Sequence, residues 1–254
     1  MKKSVIQSLL IILTFCVAFF GRTILGSFID IQISEEINKI IYGYSWWMLP
    51  ILITTGYLYG FKKIVKEFCL HKGFITGFLF GLAVTLPMLV GYSIIGEVDS
   101  ELTTTRLIHK SVFAGFMEEV LFRGFLFGLL FRNLKWGFVP AALLGAVLFG
   151  LGHIAQGNNL LQTFGVFMVT FMGAVWFAWL FIEWKENLWV AIWIHTLMNF
   201  SWVFFTVSDS GALGGYSANI FRITTIVLSI VGTVWYNKKK DKFRIKKGNL
   251  LFNK

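Results

Sequence analysis

A chain of 254 residues that is 56% hydrophobic and only 14% charged, with a mean hydropathy of +0.71, lies outside the range of soluble globular domains and reads as a polytopic membrane protein. Its net charge of +10 suits an anionic lipid surface, and with no nucleic-acid recognition pattern beside the basic residues, nucleic acid is excluded as a partner. The two cysteines, Cys16 and Cys69, make neither a CxxC pair nor a disulfide framework.

Met1-Lys2-Lys3 precedes an apolar run from about Val5, which continues through Arg22 to Phe28 without an A-x-A-like cleavage site. It therefore reads as a retained first span rather than a signal peptide. Asp30 to Lys39 is a polar loop, and a second span follows from about Ile40 to Phe61. A basic connector, Lys62 to Lys72, leads to a third span from about Phe74 to Ile95, whose Pro87 is tolerated in membrane helices. The fourth span, about Ile108 to Phe131, is followed by a fifth from about Phe138 to Ile154. The sixth covers about Leu161 to Ile182 and the seventh about Leu188 to Phe205. Ser208 to Ser217 is a Gly/Ser-rich loop before an eighth span from about Ala218 to Tyr236. The fold class expected is thus all-α, with eight transmembrane helices. Residues 1–236 form one transmembrane domain and 237–254 a basic cytoplasmic tail.

Eight spans put both termini on one side. Placing that side in the cytoplasm gathers most of the 23 Lys and Arg there, as the positive-inside rule requires. Trp136, Trp184, Trp189 and Trp235 fall at the same boundary, where an aromatic belt belongs. The expected location is the cell (plasma) membrane, and the tail reads as a topology anchor on anionic lipid.

The chemistry concentrates in three spans. Met117-Glu118-Glu119-Val120-Leu121-Phe122-Arg123 lies within a run long enough to cross a bilayer. Ionisable groups at that depth cost several kcal/mol, so they pair or do chemistry. Glu119 and Arg123 are four apart with the acid first, the favourable order for an ion pair on one helical face. Glu118 lies about 100° round the helix and stays free to work. Phe149-Gly-Leu-Gly-His153 ends the fifth span, and His195-Thr-Leu-Met-Asn199 puts an imidazole and an amide on one face of the seventh. Together these groups ask for a shared polar chamber between spans four, five and seven. In it a free Glu beside a His can activate water, while a second His and an Asn supply donors to an oxyanion. Alternatively Glu118, His153 and His195 make a two-His-one-carboxylate zinc site with an open position. There is no HExxH, no GxSxG and no pair of intramembrane aspartates.

Glu118-Glu119-x-x-x-Arg123, Phe149-x-x-x-His153 and His195-x-x-x-Asn199, in that order, resemble the CPBP family (CAAX proteases and bacteriocin-processing enzymes, also called Abi) of intramembrane endopeptidases. The matching core covers about residues 108–205. The resemblance implies that Glu118 activates the hydrolytic water with His153 and that His195 and Asn199 steady the oxyanion, with Glu119 and Arg123 structural. It implies a peptide or lipidated protein substrate of CAAX or precursor type in a membrane, cut either with zinc or by a metal-free glutamate mechanism. Two other readings stand beside it. One is a catalytically silent bacteriocin-immunity or scaffold protein. The other is a Glu/His-based transporter, which the absence of an inverted repeat disfavours. Counting helical rise, Glu118 lies ~21 Å from Arg132 and His195 only ~10 Å from Leu188, so the depth at which the three motifs meet is left to the packing.

Overall fold

The computed structural model describes residues 2–25, 36–207, 213–240 and 243–252. The stretches read as loops at 30–35 and 208–212 lie outside the described residues. The described chain is an all-α membrane bundle of eight long helices. They are α1 (Lys2–Leu25), α2 (Glu36–Tyr59), α3 (Phe74–Ile95), α4 (104–133), α5 (Phe138–His153), α6 (Leu160–Glu183), α7 (Leu188–Phe204) and α8 (Tyr216–Lys240). The first turns of α1 and the last turns of α8 lie at one end of the bundle: Trp136 donates to Ser8 and pairs with Phe252, while Asn237, Arg244 and Ile245 all bond to Glu183. By length and composition five stretches are apolar enough to cross a membrane: Lys3–Ile24, Phe74–Ile95, Phe138–Gln156, Leu160–Glu183 and Tyr216–Lys239. The seventh helix is apolar but shorter. α2 and α4 carry more polar side chains and stand among these spans.

α4 is the middle of the molecule. Every side chain from Val120 to Phe131 is buried, including Leu121, Phe125, Leu126 and Leu130 with no exposed surface. A helix apolar on all sides must be enclosed by others, and here α1, α2, α5, α6 and α7 enclose it. Its backbone is α-helical at Thr104–Leu107 and Ala114–Glu119 and π-helical at Ile108–Phe113, Val120–Phe127 and Leu129–Asn133. π-Helical turns of this kind recur at functional sites. The helix begins earlier than its apolar run, because Thr103 Oγ1 accepts from the Arg106 N–H at 3.1 Å and caps it.

Small residues set the helix separations. A Cβ on Gly77 would come within 2.6 Å of the Trp189 backbone, and one on Gly115 would collide with Thr196. The glycines therefore let α3 and α4 lie directly on α7. Gly115 is one turn before Glu119, and Thr196 is next to His195. On α8, Thr225, Ser229, Thr233 and Asn237 are spaced four apart and fully buried, forming one polar stripe. Trp176 donates to Ser229 at 3.1 Å and Trp184 to Thr233 at 2.9 Å.

Residues 243–252 fold back onto the bundle end. Val139 N–H donates to the Leu250 carbonyl at 2.9 Å, and Trp136 pairs with Phe252. Ile245 packs on the main core. Glu183, at 1% exposure, receives the Asn237 amide at 2.9 Å and the backbone N–H groups of Arg244 and Ile245 at 3.1 and 3.0 Å. At the same end Arg132 pairs with Glu186 at 3.0 Å and donates to the Glu67 carbonyl at 2.8 Å, closing the connectors together.

Candidate active site

The two acids of α4 take different places, as their 100° separation requires. Glu119 is fully buried and Arg123 is 2% exposed. Arg123 Nη1 donates to Glu119 Oε1 at 2.9 Å, the i,i+4 ion pair. The guanidinium is otherwise walled by rings, its carbon 4.9 Å from the Phe149 centroid, 5.3 Å from Phe177 and 5.9 Å from Phe122. These contacts replace part of its lost hydration with ring electrons.

The same Glu119 oxygen has a second partner. His195 Nδ1 lies 2.8 Å from Glu119 Oε1, and since a carboxylate only accepts, the imidazole donates. This fixes the ring, and Phe177 stacks on it at 5.2 Å with 19° between planes. The other nitrogen, Nε2, then stands 3.8 Å from Glu118 Oε2. Glu118 and His195 keep some exposure, 17% and 11% of their side chains, so the open end of the chain of groups is the Glu118 end. The order is Glu118, His195, Glu119, Arg123, and it is charge-balanced when His195 carries two protons. Within these four residues, the buried Glu119 Oε2 and Arg123 Nη2 have no hydrogen-bond partner among the described residues.

His153 is half-buried at the end of α5. Its Nδ1 lies 2.8 Å from the Phe149 carbonyl and so holds its proton there, leaving Nε2 as the lone-pair nitrogen of the neutral ring. The Phe149 ring separates the histidines, 4.4 Å from His153 and 6.5 Å from His195. Asn199 sits half-buried one turn beyond His195 on α7. Among the described residues no group of three or more His, Cys, Asp or Glu side chains stands close enough to hold a metal ion. Glu118, His153 and His195 thus do not converge as a ligand set, and no step below is routed through a metal.

Three features escaped the sequence. The bond between Glu119 and His195 joins two motifs that were given separate duties, and neither spacing reveals it. Gly115 makes that bond reachable, and its signal was present as a small residue one turn before the acids. Tyr44 of α2 lies within electrostatic reach of Glu118 and stacks on Phe113 at 5.9 Å, although α2 holds none of the three motifs.

No curated protein matches the chain. Residues 100–201, which run from just before α4 almost to the end of α7, match the family model for type II CAAX prenyl endopeptidases, Rce1-like. Over that segment the chain is similar to the Rce1-like family, and the resemblance to CPBP endopeptidases drawn from its three motifs is borne out.

Proposed function

We propose that the protein is an intramembrane endopeptidase that hydrolyses a peptide bond in a membrane-associated or lipidated substrate. The observation that carries this reading is the relay Glu118–His195–Glu119–Arg123, with one partly exposed carboxylate at its open end and a buried ion pair at its closed end. The matching of residues 100–201 to CAAX prenyl endopeptidases supports the choice of reaction.

Glu118 acts as general base. It takes a proton from a water whose oxygen bonds to the scissile carbonyl carbon. His195, oriented through Nδ1 by Glu119, presents Nε2–H to the carbonyl oxygen as negative charge grows there, and Asn199 adds an amide donor from the next turn. The C–N bond then breaks. The departing amine takes up the proton, with His153 serving Glu118 as the second base, and the products are a carboxylate and an amine. Glu119 and Arg123 hold the imidazole and do not touch substrate.

The test is cleavage of a farnesylated CAAX peptide by the purified protein in liposomes. Glu118→Gln should lower the rate on the order of 10³-fold, the middle of the range for general-base loss, while thermal stability stays unchanged. Rates with and without a zinc chelator distinguish the metal-free mechanism from a zinc enzyme. A wild-type rate in Glu118→Gln would falsify the reading.

A further inference from the structure

α6 carries none of the three motifs, yet one of its side chains touches groups from two of them. Phe177 is 7% exposed. Its ring stacks on the His195 imidazole with centroids 5.2 Å apart and 19° between planes. The Arg123 guanidinium carbon lies 5.3 Å from the same centroid. These two are the cationic members of the relay when His195 carries both protons, and an aromatic face attracts each. Phe149 also approaches His195, but from 6.5 Å and at 68°. Of the two rings, Phe177 is the one nearly parallel to the imidazole.

The aim of His195 needs a plane as well as a point. The Glu119 bond holds Nδ1, but the torsion that turns a histidine ring is broad, and a single hydrogen bond lets the ring pivot about it. The far nitrogen has no bond to its neighbouring acid: Nε2 and Glu118 Oε2 are 3.8 Å apart, too far for one. Packing therefore sets the plane. A pivot of the imidazole drives its edge into the Phe177 face, and that face is itself held by close-packed neighbours. Phe177 packs with Val84 of α3 and with Val190, Ala191 and Ile194 of α7. Beside it, Trp176 lies 4.5 Å away and donates to Ser229 of α8 at 3.1 Å, which ties this turn of α6 to the bundle.

We infer that Phe177 is a positioning residue of the hydrolytic site. Its flat face sets the plane of His195 and so directs Nε2 to where the scissile carbonyl oxygen gains charge. It acts through the imidazole and touches no substrate. This rests on the endopeptidase reading and deepens it, adding α6 to the three helices that carry the motifs. A planar ring, rather than apolar bulk, is the property required at this position. An aliphatic side chain fills the space but lets the imidazole pivot, so the cost falls on the chemical step and not on substrate binding.

The experiment measures cleavage of a farnesylated CAAX peptide by the full-length protein in liposomes, beside the NMR signals of the histidine rings. Phe177→Leu should lower kcat by about 10- to 100-fold, the scale of an ångström-level misplacement, with KM little changed. Phe177→Tyr, which restores the ring, should recover most of that loss. Phe177→Met, which refills the space without a plane, should behave as the leucine variant does and replaces it if that one fails to fold. Phe181 is the control: it lies one turn further along α6, has no exposed surface and packs 6.2 Å from Phe127. Phe181→Leu should lower Tm while kcat holds. In the wild type the His195 ring protons, assigned by their loss in His195→Gln, should be shifted upfield by the stacked ring. That shift should vanish in Phe177→Leu and return in Phe177→Tyr, while the Nδ1–H signal persists in both. The ring signals require no turnover. The upfield shift in a wild type that cleaves nothing therefore sinks the endopeptidase reading while leaving Phe177 as the group that orients His195. A wild-type kcat in Phe177→Leu overturns the positioning role. So does an equal loss of kcat in Phe181→Leu, or a His195 signal that Phe177→Leu does not move.

Discussion

Two carboxylates are sealed inside this protein among its described residues, and they are partnered in opposite ways. Glu183, at the end of α6, has both oxygens occupied by neutral donors, the Asn237 amide and the backbone N–H groups of Arg244 and Ile245. Glu119, in the middle of α4, has both of its partners, Arg123 and His195, on one oxygen, and its other oxygen is unsatisfied among the described residues. Buried polar groups are normally saturated, and the exceptions call for an explanation. Glu183 is a joint that closes three pieces of chain, and saturation is what a joint needs. Glu119 divides itself between holding a helix and aiming a ring. Its lopsided bonding puts the imidazole within 3.8 Å of the freer acid.

The comparison breaks most severely at Arg123. Arg123→Leu leaves Glu119 buried without its cation and should cost about 3–5 kcal/mol, seen as a large drop in Tm or loss of monodisperse protein in detergent. Adding Glu119→Gln to that variant should restore part of the stability but not the cleavage rate, since His195 loses its anionic anchor. An Arg123→Leu protein as stable as the wild type would mean that the ring cage, and not the charge pair, fixes this helix.

Glu183→Ala is milder and moves a different readout. Three donors lose their acceptor at about 1–3 kcal/mol in all, and the tail should become sensitive to limited proteolysis near residues 243–252. Peptide cleavage should stay within a few-fold of wild type, because no group at the site contacts Glu183. A tenfold loss of cleavage would show that the two carboxylates are coupled.

The smallest effect sharpens the picture of the joint end, where packing is tight enough to suppress ionisation. Burial pushes the Cys69 thiol up from an ordinary value near 9 to about 11. At pH 8 it should resist maleimide in a Cys16→Ala protein and react only after unfolding. The linkage has one sign: its contribution to stability is intact below pH 9 and is lost as pH rises towards 11. Ready labelling of the folded protein at pH 8 would show that this end opens.

Much of this was legible in the sequence. The hydropathy runs place all eight helices within a few residues, and the four-residue step from Glu119 to Arg123 closes as the ion pair that spacing alone suggests. Helix periodicity is local, so what it encodes is visible in one stretch of chain. The bond from Glu119 to His195 is set by how closely α4 approaches α7, and only Gly115 hints at that. The π-helical turns of α4 leave no hydrophobic period distinct from an α-helix in a segment that is apolar all round. The tail reads as a string of charges because its decisive donors are backbone N–H groups, which every residue possesses.

The folded-back tail also sets a timetable for the protein's manufacture. Glu183 is made 61 residues before the Arg244 N–H and 62 before that of Ile245. At roughly 5–20 residues per second, it waits about 3–12 seconds for them. During that interval α6 must be held by other means, by water at the membrane boundary or by the insertion machinery. This end of the bundle is therefore closed only after residues 244 and 245 are translated, so a premature stop shortly after α8 would leave an apparently complete set of helices with an unsealed end.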